Sequence, residues 1–242
     1  DWITSRRDGS QIVMEGVHPR VWLNPFHPQV QQFIVAAIAE LVTNYDIDGI
    51  QLDDHFGLPV DLGYDPFTVA LYRQEHGGQS PPSNSQDPAW IRWRADKITA
   101  VAAQLFHTVK ALKPRCLVSL APNPYQFSYE NYLQDWATWE RQGLVEELIV
   151  QIYRNDMERF VSELNAPELQ AAKQHIPVAI GILTGLKNRT IPTEQIQQQV
   201  ETVRSYNLAG VSFFFYETLG NRDYLFQAMF AQRASRPSIT DQ

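Results

Sequence analysis

Residues 48–55 read Asp48-Gly49-Ile50-Gln51-Leu52-Asp53-Asp54-His55. A short apolar run, Gly49–Asp53, ends abruptly in acids, as a buried strand does where it emerges into a loop. Upstream, Val30, Phe33, Ile34, Ala37, Ile38, Leu41 and Val42 fall on one face of a helix. The same unit recurs along the chain. Apolar runs at Leu117–Ala121, Leu148–Tyr153, Val178–Leu183 and Val211–Tyr216 predict four more strands. Helical periodicity separates them: Ile98, Val101, Ala102, Leu105, Phe106, Val109 and Leu112 after an Asp87-Pro88 cap; a stretch near 128–142 closed by Gly143; Ile196, Val200 and Val203; then Leu225, Met229 and Phe230.

Strand–helix alternation implies a parallel sheet with helices outside it, in which strands are apolar on both faces. No glycine-rich phosphate turn follows any strand, which argues against a doubly wound dinucleotide-binding sheet. The expected fold is therefore α/β, a parallel (β/α)8 TIM-type barrel over residues 1–232 with a polar tail over 233–242. Five βα units are visible. The first two or three are expected to precede Asp1, unless the domain is a naturally open partial barrel. An extended piece near Arg20–Asn24 leads into the first helix, and residues 55–86 read as a long Gly-, Pro-, Ser- and Asn-rich loop over the active-site face.

With 242 residues the chain is long enough for one such barrel. A net charge of −7 without clustered Lys and Arg argues against a nucleic-acid partner. One cysteine, Cys116, excludes an intramolecular disulfide and a four-cysteine metal site. No apolar run reaches the roughly 18 residues that would span a bilayer. The start, DWITSRRDGS, carries no signal peptide and reads as a cut inside a longer protein. The six histidines show no His-x-His or His-Glu-x-x-His spacing, so neither a metal nor another cofactor is expected. Oligomeric state is left open.

In a barrel of this kind the C-terminal ends of the strands carry the site. Strand alternation puts Gln51 and Asp53 on one face and Ile50 and Leu52 on the other, under the helices. Asp53 is the first choice for a carboxylate presented to substrate, and Asp54 could orient Asp53 or His55. Glu217 follows Phe213, Phe214, Phe215 and Tyr216. A carboxyl packed among rings is desolvated, which favours the neutral form a general acid needs; a helix-terminal acid stabilised by a dipole is the competing reading. Sugar rings stack on aromatic faces while amides and acids bind their hydroxyls. Asn123, Tyr125, Gln151, Tyr153 and Tyr216, with Gln51 and His55, make up the expected substrate-binding set. Trp136 and Trp139 read as helix packing.

The stretches WLNPFHPQVQQF, NYDIDGIQLDDHF, LVSLAPNPY, LIVQIYR and VSFFFYETL, in that order from Trp22 to Leu219, resemble the glycosyl hydrolase-like 10 family. That resemblance implies a (β/α)8 barrel and exported bacterial enzymes acting on cell-envelope glycans, a divisome-localised hydrolase of denuded peptidoglycan among them. It implies catalytic roles for Asp53, Asp54 and Glu217, a polysaccharide substrate and a periplasmic or envelope location. Residues 48–55 are also similar to the chitinase-type pattern Asp-Gly-x-Asp-x-Asp-x-Glu, but Gln51 replaces an Asp and His55 stands where the catalytic Glu would be. The reading is a glycoside hydrolase of peptidoglycan glycan strands using carboxylate acid/base catalysis. The alternative is a non-catalytic glycan-binding module or degenerate glycosidase.

Overall fold

The computed structural model describes residues 2–235. A hairpin, β1 (Val13–Glu15) and β2 (His18–Arg20), is followed by α1 (Pro28–Asn44), β3 (Gly49–Asp53), α2 (Pro66–Glu75), α3 (Pro88–Leu112) and β4 (Leu117–Ala121). Then come α4 (Tyr125–Tyr132), α5 (Trp136–Arg141), β5 (Glu147–Gln151), α6 (Met157–Leu164), α7 (Pro167–Ala172) and β6 (Val178–Leu183). The chain continues through β7 (Gly185–Leu186), β8 (Arg189–Thr190), α8 (Thr193–Ser205), β9 (Gly210–Phe214), a 3-10 turn at Tyr216–Thr218 and α9 (Asp223–Met229). The protein is α/β: its central sheet runs β3-β4-β5-β6-β9 with helical crossovers. The five strands do not close into a barrel among the described residues. The expected polar tail lies, from residue 236, outside them.

The chain resolves into two compact units, one of Asp1–Val118 with Tyr125–Leu144, the other of Ser119–Pro124 with Val145–Gln242. In the first, local chemistry sets the helix starts: the Asp65 and Asp87 carboxylates cap α2 and α3, and a proline follows each cap. Helices α1 and α3 pack on each other and over β3. Val42, Leu105, Val109, Cys116 and Val118 form the buried centre, with Ile50 and Leu52 packed against it. Ile50 and Leu52 are thus on the helix side, as alternation requires, whereas Gln51 and Asp53 are exposed. Gly49 is needed where β3 meets Leu117: a Cβ would lie 3.1 Å from both the Leu117 Cβ and its carbonyl oxygen.

In the second unit, Leu148 pairs with Val178, Gln151 with Gly181, and Leu183 with Phe214. Phe160, Leu164, Leu169, Ala172, Ile196, Val200 and Val203 are buried on the flanking helices. Strand β6 is largely buried, matching its unbroken apolar sequence, but β3 and β9 alternate between covered and open residues. Burial on both faces therefore holds for the inner strand and not for the two ends of the sheet.

Four local expectations need correction. The strand expected over 148–153 is Glu147–Gln151, which leaves Tyr153 beyond it. The last strand stops at Phe214 because the Phe215 backbone is taken by Thr218: Phe215 N donates to Thr218 Oγ1 at 3.3 Å, and Phe215 O accepts from Thr218 N at 2.9 Å. Tyr216 consequently sits in a 3-10 turn. The helix expected over 128–142 is two helices, broken at Leu133 with φ +56°, because Asp135 turns the chain to cap α5. The loop 55–86 contains α2, and it is pinned from below by the buried Arg94. That guanidinium donates to the Leu62 carbonyl at 2.7 Å and the Ser85 carbonyl at 2.6 Å, and also to Val60 O.

Candidate active site

In the first unit, β3 delivers three consecutive ionisable groups at its C-terminal end. The turn after it is internally bonded: His55 N donates to Asp53 Oδ1 at 2.9 Å, and Phe56 N to Asp53 O at 3.1 Å. Gln134, fully buried, donates through Nε2 to the carbonyls of Asp53 and Phe56, each at 3.0 Å. The strand end is therefore held by a side chain some 80 positions away. Gly57 completes the fit, since a Cβ there would stand 2.5 Å from the Tyr132 carbonyl oxygen.

On that platform the His55 ring lies between acids. Its Nδ1 is 3.3 Å from Asp54 Oδ1 and 3.6 Å from Asp53 Oδ2, and its Nε2 is 3.3 Å from Glu15 Oε2. Glu15 also accepts Arg20 Nε at 2.7 Å. Trp22 lies parallel to the imidazole, with ring centroids 6.4 Å apart. Burial draws the His55 pKa down, but Asp54, the Glu15 hydrogen bond and Asp53 outweigh it and raise the pKa above the usual 6.5. Tyr132 is also pushed up, first by desolvation and then by the charges of Glu15 and Asp54. Asp53 remains open to solvent, its side chain 60% exposed, at a cavity of about 550 Å³ lined also by His55, Phe56, Trp22 and Ile34. An exposed carboxylate at an apolar hollow can exchange protons with a bound group while the hollow excludes water.

Glu15, Arg20, Trp22 and Gln134 were not among the site residues expected from sequence. An acid and a base five positions apart, flanking Gly16, were the only trace of the first pair. Gln134 carried no signal at all. The carboxylates of Asp53 and Asp54 and the ring of His55 bring ligand atoms within 4.8 Å of one another, so among the described residues these three could hold a cation. Exposed acidic groups are commonly found in such groupings without an ion, and no metal is assigned.

Tyr125, also in the first unit, is half-buried and donates its hydroxyl to Asp135 Oδ1 at 2.9 Å. Asp135 in turn takes Arg92 Nη1 at 3.1 Å. Desolvation and the Asp135 charge both raise the Tyr125 pKa. Trp136 and Trp139 are buried as expected.

In the second unit, Gln151 at the end of β5 donates to Ala121 O at 2.6 Å. Tyr153 stacks on Phe214, centroids 5.6 Å apart. Asn123 is half-buried. Tyr216 is 84% exposed, as a sugar platform would have to be. Glu217 is exposed, in contrast to the desolvated setting expected from the run of aromatics: Phe213 packs on Phe226 and Phe230, and Phe214 on Tyr153. The turn carrying Glu217 is rigidly tied. Thr218 and Thr184 hydroxyls are 2.8 Å apart, and Arg222 donates to the carbonyls of Thr184, Ile191, Thr218 and Leu219. Glu217 lines a second cavity of about 550 Å³ with Lys187, Thr190 and Phe215.

Residues 1–204 match the family model described as Glycosyl hydrolase-like 10. The glycosyl hydrolase DigH of Escherichia coli K12 is 28% identical over 168 residues, which cover 63% of this chain and 34% of that protein. The glycosyl hydrolase YngK of Bacillus subtilis 168 is 26% identical over 150 residues, 55% of this chain and 28% of that protein. The chain spans about a third of the length of the curated relatives it matches. Among solved structures, the glycoside hydrolase domain of PgaB (BpsB) from Bordetella bronchiseptica superposes with a TM-score of 0.71 at 16% identity, covering 89% of this chain and 65% of that one. That last likeness is one of fold.

Proposed function

Because the chain belongs to the glycosyl hydrolase-like 10 family, we propose that it hydrolyses the glycan of a bacterial cell-envelope polysaccharide, in the first place the glycan strands of peptidoglycan. One observation carries the reading: the solvent-open Asp53 at the end of β3, beside Asp54 and His55 and at the mouth of an apolar hollow. Glycosidic cleavage takes one carboxyl to protonate the leaving oxygen and a second carboxylate to activate water or attack the anomeric carbon. Asp53 and Glu217 are each proposed as a catalytic carboxyl, and Asp54 orients His55 beside Asp53. Tyr216 and Tyr153 supply ring faces for the sugar; Gln51, Asn123 and Gln151 supply amides for its hydroxyls. The family membership, the names of the relatives and the acids Asp53 and Asp54 at the end of β3 all support this reading. A substrate of this kind puts the protein outside the cytoplasmic membrane; among the described residues no helix is long and apolar enough to cross one.

The deciding experiment is turnover of denuded glycan strands by the full-length protein and its Asp53→Asn variant, with circular dichroism as the folding control. Loss of a catalytic acid or base lowers the rate by about 10²–10⁴-fold. Undiminished turnover removes Asp53 from the chemistry. If the parent protein yields no product, and binding of the strands survives Asp53→Asn and Glu217→Gln together, the domain is a glycan-binding module instead.

A further inference from the structure

We infer that Glu15, buttressed by Arg20, is a positioning residue that fixes the ring of His55 against Asp53 and Asp54. The inference rests on the proposal that Asp53 acts on substrate. Glu15 is brought to β3 by the hairpin β1–β2, whose register pairs Val13 with Arg20 and Glu15 with His18. Gly16 adopts φ +61° at the turn, a conformation that favours glycine. Side chains alternate along the hairpin: Met14 is 58% exposed, and Val17 at the tip 82%, while the Glu15 side chain is only 22% exposed. With Met14 and Val17 facing water and Val13 only partly covered, the hairpin has a limited hydrophobic reason to lie over the β3 end. The charged contacts of Glu15 and Arg20 supply another.

The geometry clamps the imidazole at both nitrogens. Glu15 Oε2 lies 3.3 Å from Nε2, and Asp54 Oδ1 lies 3.3 Å from Nδ1. Arg20 Nε, at 2.7 Å from the same Glu15 oxygen, holds that carboxylate in place. The Trp22 face lies parallel to the ring, and the bond from His55 N to Asp53 Oδ1 fixes the turn that carries it. Tyr132 of α4 also feels the charges of Glu15 and Asp54. Without Glu15, Nε2 loses its partner, and the ring can turn away from Asp53 and Asp54, which then lose the imidazole beside them. Glu15 is out of the reacting centre itself, so its removal should slow the chemical step while leaving substrate binding intact.

The test follows the ring directly, by nitrogen NMR of the histidine side chains in the full-length protein, alongside steady-state turnover of denuded glycan strands. In Glu15→Ala the His55 ring signals should move and broaden, whereas the exposed control Glu158→Ala should leave them in place. The kcat of Glu15→Ala should fall about tenfold with KM within about twofold, as for loss of an orienting partner. Glu15→Gln, of unchanged shape, guards against misfolding and should show the same direction of change. Unmoved His55 signals in Glu15→Ala, or a wild-type kcat in that variant, overturn the inference. Undiminished turnover in Asp53→Asn sinks the functional proposal separately, and the ring signals then still decide whether Glu15 holds His55.

Discussion

His55 shows at the level of one residue how neighbours set chemistry. Its pKa is raised, because Asp54, Glu15 and Asp53 favour the imidazolium more than burial disfavours it. The folded state therefore holds that proton more tightly than the unfolded chain. The resulting stabilisation is fully present below the unfolded value near 6.5 and is lost as pH rises through the raised folded value. Thermal melts of the parent and His55→Gln should differ most at the acid end of a series between about pH 5.5 and 8.5 and converge toward the alkaline end. A gap that is constant with pH would refute the assignment. Arg94 presents the opposite case, a buried cation whose pKa burial lowers to about 10. It satisfies the carbonyls of Val60, Leu62 and Ser85 inside unit one. Arg94→Met leaves those acceptors without a donor, so urea unfolding should show a loss of about 3–5 kcal/mol. Arg94→Lys should recover only part of it, since an ammonium lacks the planar fork.

At the scale of elements, strands and long helices were legible because their burial leaves a period in the sequence. Gly49–Asp53, Leu117–Ala121 and Val178–Leu183 have the boundaries their apolar runs predict. Ends set by side chains were not legible: Thr218 stops β9, and Asp135 breaks the helix expected over 128–142. Helix α2 was hidden in residues 55–86 because its flanks are rich in turn formers and its start depends on Asp65. That carboxylate accepts from Thr4 Oγ1 and Asn24 Nδ2, both at 2.9 Å, as well as from Thr68 N at 3.0 Å. The turn that carries the aspartates is set by close approach. Gly57→Ala, with its Cβ 2.5 Å from the Tyr132 oxygen, should destabilise by about 1–3 kcal/mol in chemical denaturation. Gly210→Ala, which meets nothing within 4 Å, should stay within about 0.5 kcal/mol of the parent. Equal effects would remove the steric account.

For the molecule as a whole, the acidic balance bears on partners. A net charge of −7 repels a phosphate backbone at long range, so such binding would need a local cluster among the 20 Lys and Arg. The protein should pass unretained through immobilised DNA at about 100 mM salt, and retention that falls steeply with added salt would contradict this. The sequence by itself determined the α/β class, the parallel order of strand and helix, the packing of Ile50 and Leu52 against the helices with Asp53 left exposed, and, through its motifs, the family. All but the family, which rests on motif resemblance, follow from apolar periodicity, a local record of the side that faces a core. Only the tertiary structure decided that Glu15 meets His55, that Gln134 holds the β3 turn, and that Glu217 is open to solvent. A polar side chain looks the same in sequence whether it faces water or a partner forty residues away, because its partner is chosen by the path of the chain and not by its neighbours along it.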